Sequence, residues 1–344
     1  MRTLSMDAVQ AANSGHPGTP MALAPAAYVL FNEVLRYDPA RPQWPNRDRF
    51  VLSCGHASVL LYSMLHLCEV KQTDGQAGAD ELAVPLEHLR RFRQLQSRCP
   101  GHPEYGHTSG VETTTGPLGQ GIGNSVGMAM AACWLGSRYN RPDFPLFDYA
   151  VYAFCSDGDL MEGVGGEAAS IAGHLKLSNL CWLYDDNHIT IEGNTSLSFS
   201  EDVARRFAGY GWNVLKVADV NDLAALRAAL GAFRETRDRP TLIIVRSVIA
   251  WGSPNKQNTH GAHGAPRRGK RGSPPTPSSI RRRPRNCKRS SAGNCRRTGT
   301  ANCPPFRPTP RGSPAALPPA RCSIRSPSAC PGCWVARPTW LPRR

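Results

Sequence analysis

Three acids and two glycines fall between Asp157 and Gly163, directly after an apolar run, in "VYAFCSDGDLMEG". Asp157 offers a hard anionic oxygen. Downstream, "CWLYDDN" supplies the neutral amide oxygen of Asn187, and the turn near Ile189 supplies a backbone carbonyl. An all-oxygen set of this kind suits Mg²⁺, whose remaining positions are usually filled by phosphate and water. The metal is needed because a carboxylate cannot hold a diphosphate directly. Like charges at close range in a poorly solvated cleft repel by on the order of several kcal/mol. Gly158 places no Cβ between the backbone and such a phosphate. Asp157, Gly158 and Asp159 are also ordinary turn formers, so a plain strand-ending turn explains the same residues.

Histidines beside glycines form a second group: His16 in "SGHPG", His56 in "SCGHAS", His102 in "CPGHPE", and His260 and His263 in "THGAHGAP". Any one of these reads equally well as a loop residue. Together they form a set able to partner phosphate when protonated and to shuttle protons when neutral. They do not read as a zinc site, because His56 and His102 have no close partners at ligand spacing.

The elements that must position these groups follow from hydrophobic pattern. Val151 to Cys155 is a continuous apolar run, as expected for a parallel strand covered on both faces. From Glu162 a helical pattern places Ala168, Ile171, Ala172 and Leu175 on one face, and a second buried strand precedes Asn187. In a strand, helix, strand unit of an open parallel sheet, ligands settle at the carboxyl ends of strands, where Asp157 and Asn187 would lie. "RPTLIIVRSVIAWGS" adds another buried strand. The stretch from Asp202 alternates helix, strand and helix, with Leu223, Leu226 and Leu230 on one apolar face. "GPLGQGIGNSVG" invites a nicotinamide dinucleotide reading, but its glycines miss the G-x-G-x-x-G pattern, no clear strand precedes them and no ribose-binding acid follows. Gly119, Gly121 and Gly123 instead read as a close-packed helix start, continued by a small-residue face of Gly127, Ala129, Ala131 and Ala132. Backbone donors there can serve a diphosphate or a ring nitrogen.

Taken in order and spacing, "NSGHPGTPM", "RDRFVLSCGHASVLLYSMLHL", "PGHPE", "TTGPLGQGIGNSVGMAMA", "SDGDLMEGVGGEAASIAGHLKLSNL", "YDDNHITIEG" and "HGAP" resemble the N-terminal, diphosphate-binding half of transketolase. The resemblance covers roughly residues 1 to 266. It implies an α/β fold, an open, mostly parallel sheet with helices on both faces, of the thiamine diphosphate-binding kind. It further implies that Asp157, Asn187 and the Ile189 carbonyl hold Mg²⁺ on the diphosphate of thiamine diphosphate. His56, Gly158 and Asn187 would meet the diphosphate end, and Gly116, Pro117 and Leu118 the other end. His16, His102 and His263 would face the substrate, with His260 a secondary candidate. The implied reaction moves a two-carbon ketol unit between sugar phosphates in the pentose phosphate pathway.

The resemblance has departures. Ser156 stands where the family often has glycine, and a small side chain there can turn aside. The start, "MRTLSMDAVQ", resembles the interior of the family's first helix, so a turn or more is expected to precede it. The family's pyrimidine-binding domain, with its activating glutamate, aromatic pocket and basic residues for the sugar phosphate, has no counterpart in this chain. That leaves this chain inactive alone, the N-terminal subunit of a split transketolase completed by a separate C-terminal chain, a relative of dihydroxyacetone synthase, or a non-catalytic Mg²⁺-diphosphate-binding remnant. The family's homodimerisation through this half predicts exposed apolar surface.

Charge divides the chain at residue 266. The whole carries 41 Lys plus Arg against 26 Asp plus Glu, yet residues 266 to 344 hold 19 of the basic residues and none of the acids. The earlier part is therefore mildly acidic, and the tail, with 16 of the 30 prolines, lacks the composition of a core. A domain over residues 1–265 and a disordered basic Pro/Arg-rich tail over 266–344 are expected. The abrupt change after the His263 loop reads as a frameshift product. As an arm for nucleic acid the tail has few aromatics and no recognition element, and "CPGC" at residues 330 to 333 lacks a matching second pair for zinc. With six scattered cysteines before the tail, no signal peptide and no 18-residue apolar stretch, a cytoplasmic protein without a membrane span is expected.

Overall fold

Five strands carry the architecture: β1 (Arg49–Leu52), β2 (Val151–Ser156), β3 (Leu180–Asp186), β4 (Asn213–Val217) and β5 (Thr241–Arg246), in the order β1-β2-β3-β5-β4. Every neighbouring pair is parallel. The computed structural model describes residues 1–73 and 80–264, so the tail expected over residues 266–344 lies outside the described residues. Around the sheet run α1 (Arg2–Ala12), α2 (Gly18–Val29), α3 (Ser58–Leu67), α4 (Leu86–Arg90), α5 (Gln120–Tyr139), α6 (Asp157–Met161), α7 (Gly163–His174), α8 (Val203–Gly209) and α9 (Leu223–Glu235).

Alternation along each strand assigns side chains to two separate cores. Phe50, Phe154, Leu183 and Ile243 join α1, α2, α3 and α9 on one face. Val51, Ala153, Trp182 and Leu242 join α5, α7 and α8 on the other. Both cores need the strands apolar on both sides, which is why β2 is buried at all six positions. Trp182 anchors the second core. It lies 4.7 Å from Trp212 and 5.8 Å from Phe207 between ring centroids, and its indole N–H donates to Ser125 Oγ at 2.9 Å. Truncating it to alanine would cost about 3–5 kcal/mol.

Helix limits follow from local chemistry. Asp222 caps α9 by accepting from Ala225 N at 2.9 Å, and Leu226, Leu230 and Phe233 bury the expected face with Leu223 at its edge. Asn13 ends α1 in the left-handed region, φ 48°.

Two expected helix faces are corrected. In α7, Ala168 and Ala172 are buried, but Ile171 and Leu175 remain half exposed, because the face that meets the sheet is centred on Gly165, Ala168, Ala169 and Ala172. In α5, Ala129 and Ala132 are buried with Ile122 and Val126, whereas Gly127 and Ala131 lie on the opposite, exposed side with Met130 and Trp134. At about 100° per residue the four small residues cannot share one face. Among the described residues no helix is long and apolar enough to cross a membrane, and six cysteines are free thiols.

Candidate functional site

After β1 the chain turns onto the face of α3; after the adjacent β2 it turns onto the face of α6 and α7. Connections leaving neighbouring parallel strands to opposite faces open a crevice at their carboxyl ends. Asp159 ties that crevice together. Its Oδ1 accepts from Ser53 Oγ at 2.6 Å and Gly119 N at 2.8 Å, and its Oδ2 accepts from Ser156 N at 2.9 Å and Ser156 Oγ at 3.1 Å. Residues 157 to 159 are therefore the first turn of a short helix closed by a capping box, not a simple strand-ending turn. Ser156 does not turn aside; it is the N-cap.

Asp157 has the opposite character. It is 3% exposed, accepts the Tyr184 hydroxyl on Oδ1, and leaves Oδ2 shielded from solvent without a partner. Burial pushes its carboxyl up to about 7; the Tyr184 hydrogen bond opposes that rise, and Asp185 and Asp186 add to it. Asn187 is held by its neighbours. Its Nδ2 donates to Asp185 Oδ2 at 2.7 Å, while its Oδ1 accepts from Ile189 N at 2.8 Å. Asp185, fully buried and pushed up to about 6 by burial, also accepts the Ser247 hydroxyl from beyond β5. Between Asn187 and Ile189, His188 takes a left-handed backbone, φ 61°. Among the described residues no donor reaches the Ile189 carbonyl.

The histidine loops converge. His56 and His263 stack with ring centroids 5.0 Å apart; His16 lies 5.1 Å from His56 and 5.6 Å from His263, edge to face. His16 Nδ1, His56 Nε2 and His263 Nδ1 are shielded and unpartnered. Burial, reinforced by the neighbouring imidazoles, pulls His56 down to about 3 and His16 down to about 4, and burial lowers His263. Burial and the Arg93 charge lower His102, which is itself exposed. These four rings are neutral near pH 7, so of the two roles left open for them by sequence the geometry favours the neutral one. His260 is exposed, opens the turn His260–Ala262, and makes no ring contact with the trio.

The segment Gly116, Pro117, Leu118 runs between the His102 loop and Gly158. A Cβ at Gly116 would meet His102 Cγ at 3.2 Å, and one at Gly158 would meet Leu118 Cδ1 at 2.7 Å. Gly158 thus also makes room for Leu118. Gly121, whose Cβ would lie 2.5 Å from Ser53 Cα, matches the expected close-packed helix start.

Sequence reasoning missed Tyr184, Asp185 and Ser247. Asp185 carried a signal, an acid inside an apolar strand, since such a residue must find partners. Tyr184 and Ser247 carried none until strand pairing brought them to the site. Among the described residues, no three His, Cys, Asp or Glu side chains converge at metal-ligand geometry. A cation at this place would therefore draw on amide and carbonyl oxygens beside the single free oxygen of Asp157, which favours a hard ion such as Mg²⁺ over zinc.

Comparison with known proteins bears on this geometry. The family described as "Transketolase, thiamine diphosphate binding domain" matches residues 1–271. The transketolase of Geobacillus stearothermophilus is 54% identical over 266 residues, which is 77% of this chain and 38% of that protein. Transketolase 1 of Escherichia coli is 50% identical over 266 residues, again 77% and 38%. The transketolase of Pichia stipitis, solved in complex with sedoheptulose-7-phosphate, superposes with a TM-score of 0.71 at 50% identity, covering 77% of this chain and 37% of that one. The chain thus spans under two-fifths of the length of these relatives.

Proposed function

The chain belongs to the transketolase family, and on that premise we propose that its residues 1–265 are the diphosphate-binding domain of a thiamine diphosphate- and Mg²⁺-dependent ketol transferase of the cytoplasm. The observation that carries this reading is the set of shielded, unpartnered polar atoms. Of the six among the described residues, four belong to Asp157, which opens α6 directly after β2, and to His16, His56 and His263, whose rings pack together. Buried polar atoms normally find partners, and the three left open in the histidine cluster, with Asp157 Oδ2 after the strand next to β1, are groups waiting for a ligand.

Asp157 Oδ2, Asn187 Oδ1 and the Ile189 carbonyl would hold Mg²⁺, with the cation separating the Asp157 charge from the diphosphate. Tyr184 keeps Asp157 Oδ1 engaged, so only Oδ2 is offered, and the Ser247–Asp185 pair holds the Asn187 amide in place. His56, Gly158 and Asn187 would take the diphosphate end, and Gly116, Pro117 and Leu118 the other end. Thiamine diphosphate, when bound, supplies the electron sink that protein side chains lack. His16 and His263 present neutral imidazoles with free Nδ1 atoms, which accept a proton from a sugar hydroxyl and return it; His102 stands at the exposed rim for the same task.

Substrates of this reading are a ketose phosphate and an aldose phosphate, in keeping with the sugar phosphate bound to the Pichia stipitis relative. The groups expected from a pyrimidine-binding domain have no counterpart among residues 1–265. The half-exposed Met130 and Trp134 of α5, with Ile171 and Leu175 of α7, support association with a second copy. The test has two steps. Calorimetric titration with thiamine diphosphate should show binding only when Mg²⁺ is present, and absence of binding with Mg²⁺ would sink the reading. Ketol transfer should then appear on mixing with a C-terminal transketolase chain, and no gain over either chain alone would remove the catalytic claim.

A further inference from the structure

A cavity of about 240 Å³ lies at the far end of the sheet from the crevice. Asp48 leads into β1, Ala150 into β2, and Ser178 and Asn179 into β3, while Arg234 in the last turn of α9, Thr236 and Arg237 lead toward β5. These are the amino ends of parallel strands, whereas Asp157 and Asn187 follow the carboxyl ends of β2 and β3. The six residues of β2 separate the two ends by roughly 20 Å, at about 3.3 Å per residue. The cavity is therefore apart from the groups proposed for cofactor and substrate.

Three arginines line it, Arg36, Arg234 and Arg237, against two acids, Asp48 and Asp148. Both acids are already answered. Buried Asp48 accepts Ala150 N on Oδ1 and Arg36 N on Oδ2, each at 2.9 Å. Asp148 accepts both Nη atoms of Arg36, at 2.7 and 3.2 Å, and Asn46 Nδ2 at 2.9 Å. That engages Arg36 and leaves the other two arginines. Arg234 donates through Nε to Tyr152 Oη and through Nη2 to the Val34 carbonyl, and it stays 3.7 Å from Asp48, so its Nη1 has no acceptor. Arg237 is exposed and forms no ion pair among the described residues, because the neighbouring Asp238 carboxyl is held by Arg239. On the same wall, the Ser178 hydroxyl and the backbone N–H of Asn179 also have no acceptor among the described residues.

We propose that this cavity is a second binding site, remote from the crevice, for phosphate, free or carried by a small ester, held by Arg234 and Arg237. The donor count decides the class. Two guanidiniums, a hydroxyl and an amide offer more N–H and O–H groups than the two oxygens of a carboxylate use, and the three terminal oxygens of a phosphomonoester match them. A guanidinium also presents paired donors in a plane that fits two phosphate oxygens. At about 240 Å³ the cavity falls below the roughly 300–1,000 Å³ of sites for larger organic ligands, which favours a short ester over a nucleotide. No group assigned to the ketol-transferase reading lines it, so the site stands independently of that reading.

The test titrates the full chain with inorganic phosphate, glycerol 3-phosphate and acetate, with and without Mg²⁺ and thiamine diphosphate, and follows backbone amides by NMR. Both phosphate probes should shift the amides of Ala150, Ser178 and Asn179, equally with and without cofactor. Arg237→Gln should lose about tenfold in affinity for them, and Arg237→Lys less. Both variants should melt as the wild type does when phosphate is absent. Tighter binding of glycerol 3-phosphate assigns the site to an ester, and equal binding assigns it to free phosphate; either supports the site. No shift at these amides in the wild type, or unchanged affinity in Arg237→Gln, overturns the proposal. Acetate binding as tightly as phosphate overturns the ligand class. A chain that takes phosphate here but binds no cofactor upholds this site and removes the ketol-transferase reading instead.

Discussion

The Tyr184 hydroxyl donates to Oδ1 of Asp157, and Oδ2 of the same carboxyl is left shielded without a partner. Tyr184 lies in β3 and Asp157 directly follows the adjacent parallel strand β2, so their meeting is a product of strand register. The bond favours the ionised carboxyl that burial disfavours.

Tyr184→Phe should therefore weaken Mg²⁺ binding in the presence of thiamine diphosphate by about tenfold at neutral pH, the value of one hydrogen bond to a charged group. The deficit should shrink above pH 8, where the carboxyl ionises without help. Calorimetry at two pH values reads both parts; wild-type affinity at neutral pH would show that the hydroxyl is not a support for the ligand.

Asp157→Asn should bind Mg²⁺ poorly yet melt higher in the metal-free chain. Burial raises Asp157 to about 7 from the ordinary carboxylate range. Between roughly pH 4 and that value the folded chain keeps a proton that the unfolded chain gives up, so stability falls as pH rises through the window. Removing the charge should raise the melting temperature at pH 8 by about 4 °C, and by nothing at pH 5. A thermal melt with chelator present checks this, and a gain that is larger at pH 5 would contradict it.

Asp159→Asn should fail differently. All four bonds to Asp159 come from donors, and an amide nitrogen would face one of them. The expected loss is about 2–3 kcal/mol of stability at pH values above the range, raised by burial, in which Asp159 ionises. Urea unfolding of the two variants side by side should show opposite signs, and equal effects on Mg²⁺ binding in folded protein would mean the ligand is wrongly assigned.

Ring titration by NMR should find His56 protonating near 3 and His16 near 4, with His102 and His263 also below the ordinary histidine range. Because the unfolded chain binds protons on these rings first, they contribute stability that grows as pH rises toward 6.5 and is lost below it. Arg93→Gln should move His16 and His102 upward and leave His263 in place. Any of the four found protonated at pH 7 would return the cationic role to these rings.

Much of the fold was legible. The apolar runs of β2, β3 and β5 announced a doubly covered parallel sheet, and Leu226 and Leu230 announced the buried face of α9. Ile171 and Leu175 were misread because periodicity reports which residues align along a helix, not which side its neighbours cover. Gly158 was legible only in part for a related reason: a glycine shows that something comes close, and only the fold identifies Leu118 as one such neighbour.

At the site, residue type and spacing marked Asp157, Asn187 and the histidine loops, because their chemistry does not depend on what surrounds them. Sequence alone could also separate the acid-free tail from the domain before it. What only the tertiary structure decided was protonation and role. Asp157 and Asp159 stand two residues apart with the same side chain. One has an oxygen left open and the other is saturated by four donors, since Ser53 after β1, Gly119 before α5 and the N-cap Ser156 close on Asp159 while Tyr184 reaches a single oxygen of Asp157. Burial and mutual proximity, which arise from loops far apart in the chain, are likewise what make His16, His56 and His263 neutral.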